Sequence, residues 1–199
     1  KMAESLDALV LDVKYGSGAF MKSLADAQIL AREMAVVGAK MGVDISTLLT
    51  PMNEPLGSAV GNALEVAEAV QVLEGGGPDD LRRLVLDLAD CVSGCQRAEL
   101  EDLLDSGVAL KKWREMVAAQ GGDADADPVQ VHPAKFQCDL DAFDAGTVTA
   151  VDAGIVGRVV LDLGAGRTKA GDAIDFSVGL SNIVKVGTHV NKGQCLLII

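Results

Sequence analysis

Aromatic side chains are scarce in this sequence. Only 3% of its 199 residues are Phe, Trp or Tyr, although 49% are hydrophobic. A core must therefore be built from alanine, valine and leucine, which favours helices packed on a parallel sheet over an aromatic-rich β-sandwich. A chain of this length can bury a substantial core and can form one full domain with a smaller second one.

The sequence is also poor in positive charge. Its 17 Lys and Arg residues face 29 Asp and Glu residues, which gives a net charge of −12. Nonspecific nucleic-acid binding needs a positive field, so we expect no nucleic-acid partner. No apolar run approaches the roughly 18 residues that indicate a membrane span, and no signal-peptide pattern opens the chain. We expect a cytoplasmic protein without membrane association.

Cysteine and histidine are few, and their spacing does not suit a zinc site. Cys91 and Cys95 stand one helical turn apart, while the two histidines lie far from them in sequence. The remaining cysteines are Cys138 and Cys195. Scattered cysteines of this kind are typical of reduced core side chains in a cytosolic protein, and a zinc site is not expected.

The stretch that organises the chain is LDALVLDVKYGSGAFM, residues 6–21. Its apolar beginning, residues 6–11, predicts a strand buried on both faces of a parallel sheet. Asp12 and Lys14 follow, and then a loop with two glycines, residues 15–19, that lets a ligand approach the backbone closely. Open α/β sheets bind ligands at this end of their strands. A tight turn without a ligand is the alternative, since the glycine spacing is not a phosphate-loop pattern.

A helix and a second strand complete a βαβ pattern. Ser23 and Asp26 resemble a capping box at the start of the helix, and Gly38 or Gly42 can end it. Residues 43–49 predict the second strand, which leads into a loop rich in Pro and Gly. Strand, loop and helix in this order indicate a parallel sheet.

The next helix carries an acidic residue whose environment the spacing leaves open. Residues 61–70 predict this helix, with Asn62 as N-cap and Glu65 as its reciprocal partner. Glu68 lies one turn after Leu64, on or near the apolar face. It is either a solvated flank of that face or a buried ligand.

Helices continue to residue 119, and the pattern then changes. Further helices are predicted over residues 81–93, 97–104 and 108–119. Pro78 suits the first position of the first of these, and Gly94 can end it. The polar stretch 123–128 is the best boundary between domains.

Beyond the boundary, the sequence predicts short strands separated by Gly and Asp. They cover residues 146–151, 155–160, 173–178 and 186–196. The cluster Gly164–Arg167 could cradle an anion, although a turn or bulge between strands is the favoured interpretation. We therefore predict an α/β chain in three parts. They are a parallel-sheet α/β domain (residues 1–122), a linker (123–134) and a small β-rich, α+β, barrel-sandwich-like C-terminal domain (135–199).

Four segments together resemble thymidine and pyrimidine-nucleoside phosphorylases. They are LDALVLDVKYGSGAFM, PMNEPLGSAVGNALEVAEAV, EGGGPDDLRRLV and LGAGRTKAGDAIDFSVG. The resemblance covers essentially the whole chain and corresponds to the middle and C-terminal parts of that family. The family's phosphate-binding segment, KHSTGGVGD-like, precedes this region. The first residue, Lys1, and the apolar end LLII also suggest a fragment of a longer protein.

The resemblance implies a pentosyltransferase. Members of this family cleave a pyrimidine nucleoside with inorganic phosphate and give the free base and (deoxy)ribose 1-phosphate, with phosphate as co-substrate. The physical task is to stabilise positive charge on the sugar ring while phosphate attacks and the base leaves as an anion. The family also implies a homodimer and no organic cofactor.

The resemblance places part of the base pocket at the end of the glycine loop. Phe20, with Met21 behind it, matches family residues that line this pocket, where an apolar ring edge excludes water. Lys1 matches a family lysine, and the base-binding Arg, Ser and Lys of the family would lie before it. No catalytic residue is therefore expected within these 199 residues, and the chain alone is expected to be inactive.

The family also binds a structural monovalent cation. Leu56 and Ala59 match two residues that bind it through backbone carbonyls, and Glu68 matches its carboxylate ligand. Hard oxygen donors with a single charge suit a large ion such as K⁺. The resemblance thus favours a ligand role for Glu68 over a solvated one.

Two alternatives belong to other functional classes. The closing VGTHVNKGQCL resembles the strand-turn-strand of lipoyl- and biotinyl-carrier domains, whose modified lysine stands at a hairpin tip. Lys185 and Lys192 are the nearby candidates, but neither has the flanking residues of a carrier lysine. Anthranilate phosphoribosyltransferases share the architecture and use a pyrophosphorylated ribose with magnesium.

Overall fold

The computed structural model describes residues 6–199 as a mixed α/β protein. The strands are β1 (Ala8–Tyr15), β2 (Asp44–Pro51), β3 (Asp139–Asp141), β4 (Gly146–Thr147), β5 (His189–Val190) and β6 (Cys195–Ile198). The helices are α1 (Leu24–Lys40), α2 (Asn62–Leu73), α3 (Asp79–Ser93), α4 (Arg97–Asp105), α5 (Val108–Ala119), α6 (Pro128–Val131) and α7 (Ala153–Val160). A π-helical turn, Leu161–Ala165, continues α7. No helix in this part of the chain is long and apolar enough to cross a membrane.

The predicted parallel pair is confirmed. β1 and β2 pair in parallel along their full length, from Ala8 opposite Asp44 to Tyr15 opposite Pro51. Because strand side chains alternate between faces, every second residue of β1 faces α1. Val13 packs there against Ala27 of α1, which is 0% exposed. The strand is longer than predicted and includes Asp12 and Lys14.

The first helix begins and ends for local reasons. Ser23 is its N-cap, and the Ser23 hydroxyl accepts a hydrogen bond from the Asp26 N–H at 3.2 Å, as the capping-box pattern predicts. The helix runs through Gly38 to Lys40, so Gly38 does not end it. A Cβ on Gly38 would lie 2.1 Å from Cδ1 of Ile45, so this glycine permits close packing of α1 on β2.

The start of α2 differs from the prediction. Its N-cap is Gly61, whose N–H donates to Oε1 of Glu65 at 3.0 Å, whereas Asn62 is the first helical residue. Gly61 has a φ of +145°, and a Cβ there would lie 2.6 Å from the Val178 carbonyl oxygen. The Asn62 side chain instead donates to the Ala165 carbonyl at 2.8 Å. This long-range contact carries no signal in the local sequence.

Helices α3 to α5 pack around a shared apolar cluster. Leu86, Leu100 and Leu104 are its buried members. Pro78 is the N-cap of α3 and not its first helical residue, and Gly94 ends the helix in the left-handed conformation, as predicted. The predicted helices in this region are therefore confirmed apart from small shifts at their ends.

The C-terminal region contains a helix where a strand was predicted. Residues 155–160 belong to α7, because Asp152 caps its start by accepting the Ile155 N–H at 3.0 Å. Val156 and Val160, one turn apart, are buried against Leu180 and Ile183. The cluster 164–167 forms the end of the π-helical turn and the residues just after it, and it does not connect two strands. Residues 173–178 form no strand either.

The remaining strands form two short antiparallel pairs. β3 pairs with β6, with a register shift between Leu140 and Asp141, and β4 pairs with β5. Since β5 and β6 have different partners, the predicted 186–196 strand is two strands, and Lys192 between them is not at the tip of a self-paired hairpin. Within residues 6–199 the strands do not close into a barrel, so the barrel-sandwich-like prediction is wrong for the part described. All four cysteines are free.

Candidate functional site

Two loops meet at the carboxyl ends of β1 and β2. The first is the glycine loop, residues 16–21, and the second is the β2–α2 loop, residues 52–61. The Gly18 N–H donates to the Met52 carbonyl at 2.9 Å, and the Ser17 hydroxyl donates to the Asn53 carbonyl at 3.1 Å. Gly16 has a φ of +123°, and a Cβ there would lie 2.5 Å from Oδ1 of Asn53. The glycine spacing therefore serves a close contact between two loops.

The N-terminus of α7 is the third element at this edge. The Ala153 N–H donates to the Asn53 carbonyl at 3.0 Å, and a Cβ on Gly18 would lie 2.6 Å from the Ala153 side chain. The pKa of Asp152 is lowered from its ordinary value, first by the Ile155 N–H and also by the Ser17 hydroxyl. The sequence analysis missed this element because it assigned the segment to a strand.

A charged pair lies near the carboxyl ends of the two parallel strands. Nζ of Lys14 is 2.7 Å from Oδ2 of Asp12 and donates to the Thr50 hydroxyl at 3.1 Å. The Thr50 hydroxyl in turn donates to Asp12. Because Asp12 and Lys14 alternate with Val13, they face away from α1. The edge thus carries a half-buried polar group next to the glycine loop.

The two predicted base-pocket residues have different surroundings. The Phe20 side chain is 93% exposed, whereas Met21 packs against the cluster between β1 and α1. The glycine loop is closed beside them, since the Gly16 N–H donates to the Met21 carbonyl at 2.9 Å. Lys22 also donates to the Ala19 carbonyl at 2.8 Å. Lys1, the other residue matched to the family's base site, lies outside the described residues.

Glu68 is buried, so the interpretation of this residue as a solvated flank is wrong. It is 6% exposed, and its Oε1 accepts hydrogen bonds from the Ser58 N–H and the Ser58 hydroxyl, both at 2.8 Å. Gly57 has a φ of +70°, and a Cβ there would lie 2.0 Å from Oε2 of Glu68. Among residues 6–199, no Lys or Arg forms an ion pair with Glu68.

The carbonyls of residues 55–60 in this loop fall into two groups. Those that accept hydrogen bonds within the described part of the chain belong to Pro55, Ser58 and Val60. Those of Leu56, Gly57 and Ala59 accept none from residues 6–199. A buried carboxylate without an ionic partner is costly in energy, and free carbonyls near it are ligands that hard cations prefer. The residues present therefore fit a cation of low charge. Leu56, Ala59 and Glu68 are predicted site residues, whereas no sequence pattern indicated Gly57 or Ser58.

Comparison with known proteins gives a consistent result. Residues 147–199 match the family model described as pyrimidine nucleoside phosphorylase C-terminal domain. The chain is 42% identical to the pyrimidine-nucleoside phosphorylase of Bacillus subtilis over an alignment of 209 residues. This alignment covers 99% of this chain and 48% of the relative. It is 42% identical over 210 residues to that of Geobacillus stearothermophilus, with 100% and 48% covered.

A third relative extends the comparison. The pyrimidine-nucleoside phosphorylase of Staphylococcus epidermidis is 41% identical over 210 residues, again with 100% of this chain and 48% of the relative covered. The chain thus spans about half the length of the curated relatives it matches. The resemblance carried by the glycine loop, the β2–α2 loop and the C-terminal region is confirmed. Over essentially its whole length the chain is therefore similar to pyrimidine-nucleoside phosphorylases, and it corresponds to about half of those proteins.

Proposed function

We propose that this chain is part of an enzyme that cleaves the N-glycosidic bond of pyrimidine nucleosides with inorganic phosphate. The products are the pyrimidine base and (deoxy)ribose 1-phosphate. The observation that carries the proposal is the 42% identity to the Bacillus subtilis enzyme over 99% of this chain. Thymidine and uridine are the substrates to compare, because the family resemblance includes thymidine phosphorylases.

The chemistry needs a dry and fixed pocket for the base. A phosphate oxygen forms a bond to C1 of the sugar while the C1–N bond breaks and its electron pair goes to the base. We propose that Phe20, at the end of the glycine loop, covers the pyrimidine ring with an apolar surface that excludes water. Met21 anchors the same loop in the core, and Asn53 holds it from the neighbouring loop. A fixed loop lowers the cost of orienting the substrate.

We propose a K⁺ site at the carbonyls of Leu56 and Ala59 and the carboxylate of Glu68. Two observations support it: these carbonyls accept no hydrogen bond from residues 6–199, and the buried Glu68 carboxylate forms no ion pair with that part of the chain. A bound ion would neutralise Glu68 and fix the β2–α2 loop. This loop contacts the glycine loop through Met52 and Asn53, so the ion has a structural route to the base pocket.

The family resemblance supports three further proposals about the complete protein. It is a homodimer in the cytoplasm, it uses no organic cofactor, and it uses phosphate as co-substrate. The 199-residue chain, which spans 48% of the relatives, does not turn over nucleoside by itself. Phosphate and most of the base are then bound by other parts of the enzyme.

The test is a phosphorolysis assay on the full gene product that contains this chain and on the 199-residue chain alone. Thymidine or uridine is mixed with phosphate, and release of the base is followed by the ultraviolet change. We expect turnover by the full gene product only. Turnover of anthranilate with pyrophosphorylated ribose instead, or a mass increment matching biotin or lipoate on the purified protein, would contradict the proposal.

A further inference from the structure

A C-terminal segment runs antiparallel to the β2–α2 loop. Val60 and Leu180 exchange two backbone hydrogen bonds of 2.8 Å, and the Ile183 N–H donates to the Ser58 carbonyl at 3.0 Å. Further along, the Val186 N–H donates to Oε2 of Glu54 at 3.1 Å. The segment 180–186 therefore borders the whole stretch that holds the candidate cation ligands.

One ion pair ties this segment to α3 across the loop. Nζ of Lys185 donates to the Pro55 carbonyl at 2.5 Å and lies 2.6 Å from Oδ2 of Asp80. The same Asp80 oxygen accepts the Gly57 N–H at 3.2 Å. Burial raises the pKa of Asp80, but the Lys185 ammonium and the Gly57 N–H outweigh it and lower the pKa below its ordinary value. Asp80 thus stays charged near neutral pH.

The pair holds the loop on both sides of one candidate ligand. Lys185 fixes the carbonyl of Pro55 and Asp80 fixes the N–H of Gly57, and Leu56 stands between them. Gly57 also contacts the carboxylate of Glu68. This part of the loop is therefore already ordered in the folded protein before the ion binds, so ion binding loses less conformational entropy.

The pair also decides where negative charge remains. Lys185 and Asp80 neutralise each other, so Lys185 does not serve as the counter-ion of Glu68. Glu68 on α2 is then a buried carboxylate that forms no ion pair within residues 6–199, and its single charge matches a monovalent ion. We infer that Lys185 and Asp80 are positioning residues for the cation site and that the C-terminal region thereby helps to build the site. This inference rests on the proposed cation site.

The test measures K⁺-dependent stability in the full gene product. Thermal unfolding is followed over a KCl titration, with tetramethylammonium chloride holding ionic strength constant. The main variant is Lys185→Met with Asp80→Asn, which removes the pair without changing net charge. We expect its K⁺ midpoint to rise about tenfold, which corresponds to about 1.4 kcal/mol. Lys192→Met, on an exposed lysine of the same region, is the matched control and should stay within about twofold of the original protein.

Two more variants separate the possible outcomes. Lys185→Arg keeps the charge and the donors and should restore a midpoint near that of the original protein, and Lys185→Gln serves if the double variant does not fold. An unchanged midpoint in the double variant or in Lys185→Gln would overturn the inference and leave the cation site intact. No K⁺-specific stabilisation in the original protein would overturn the cation site and the inference together. Phosphorolysis is scored separately, so loss of the proposed activity is distinguishable from both.

Discussion

Substitution of Glu68 separates two roles of one buried carboxylate. Its Oε1 accepts two hydrogen bonds of 2.8 Å from Ser58, and its charge has no ionic partner among residues 6–199. Glu68→Gln keeps an oxygen for Ser58 and removes the charge. Glu68→Ala removes both the oxygen and the charge. The difference in stability between the two variants therefore reports the hydrogen bonds to Ser58.

The magnitudes follow from the two lost interactions. In Glu68→Ala, two donors of Ser58 lose their acceptor at a position that is 6% exposed. A buried unsatisfied donor costs about 1–3 kcal/mol, so we expect Glu68→Ala to lower the free energy of unfolding by about 3 kcal/mol in the absence of K⁺. Without K⁺, Glu68→Gln should stay within about 1 kcal/mol of the original protein, because it loses a charge that was costly to bury.

Addition of K⁺ should then separate the original protein from both variants. An ion at 100 times its Kd stabilises the folded state by about 2.7 kcal/mol. We expect K⁺ to stabilise only the protein that contains Glu68. In the two variants, which lack this stabilisation, we expect the β2–α2 loop to pack more loosely. Urea unfolding of the full gene product, in KCl and in tetramethylammonium chloride at equal ionic strength, measures the stabilisation by K⁺. If K⁺ stabilises Glu68→Gln as much as the original protein, the ligand role of Glu68 is refuted. If Glu68→Gln and Glu68→Ala lose the same free energy of unfolding without K⁺, the hydrogen-bond argument is refuted.

Three further predictions concern the other residues of this edge. In the full gene product, Phe20→Ala should raise KM for the nucleoside about tenfold, because it removes the proposed apolar cover of the base. Tm should stay unchanged, because a side chain that is 93% exposed contributes little to folding. A lower Tm with unchanged KM would contradict this. Gly16→Ala should lower the free energy of unfolding, measured in urea, by about 1–3 kcal/mol, because φ is +123° and Asn53 is too close for a Cβ. Ala19→Gly in the same loop is the control variant. Equal stability of Gly16→Ala and the original protein would refute the argument. The Ile155 N–H holds the pKa of Asp152 below its ordinary value, so its stabilisation is present above the pKa of an unfolded Asp and is lost as pH falls through the folded pKa. Asp152→Asn should therefore flatten the acid limb of the unfolding profile, and an unchanged limb would exclude Asp152 as its source.

Local patterns were sufficient for the α/β part of the fold. The apolar run at residues 6–11, the helical spacing after Ser23 and the β-prone residues 43–49 predicted β1, α1 and β2, because local sequence encodes which residues of each element are apolar. Helices α3 to α5 were predicted for the same reason. Glycine and proline marked their ends within a few residues.

The misses have a common physical cause, which is contact between distant parts of the chain. The Val-rich residues 155–160 have β propensity, but the Asp152 cap and burial against Leu180 and Ile183 stabilise a helix. Asp152 followed by an apolar run was the available signal, and it was not used. The ladder between the β2–α2 loop and residues 180–186 spans more than 100 residues, and no local pattern indicates it.

The candidate site was predicted unevenly. Leu56, Ala59 and Glu68 came from the resemblance, while spacing alone left the burial of Glu68 open. The contacts of Lys185 with Pro55 and Asp80 required three-dimensional coordinates. The residue types of the site could be predicted, but the packing of residues 6–199 decides which carbonyls accept hydrogen bonds within that part of the chain.

The most direct test of the central claim is identification of the sugar product. The full gene product is incubated with thymidine or uridine in the presence and absence of inorganic phosphate, and the sugar product is followed by ³¹P NMR. We predict (deoxy)ribose 1-phosphate and free base in equal amounts, and neither product without phosphate. Base release that does not need phosphate, or no base release from either nucleoside, would contradict the account.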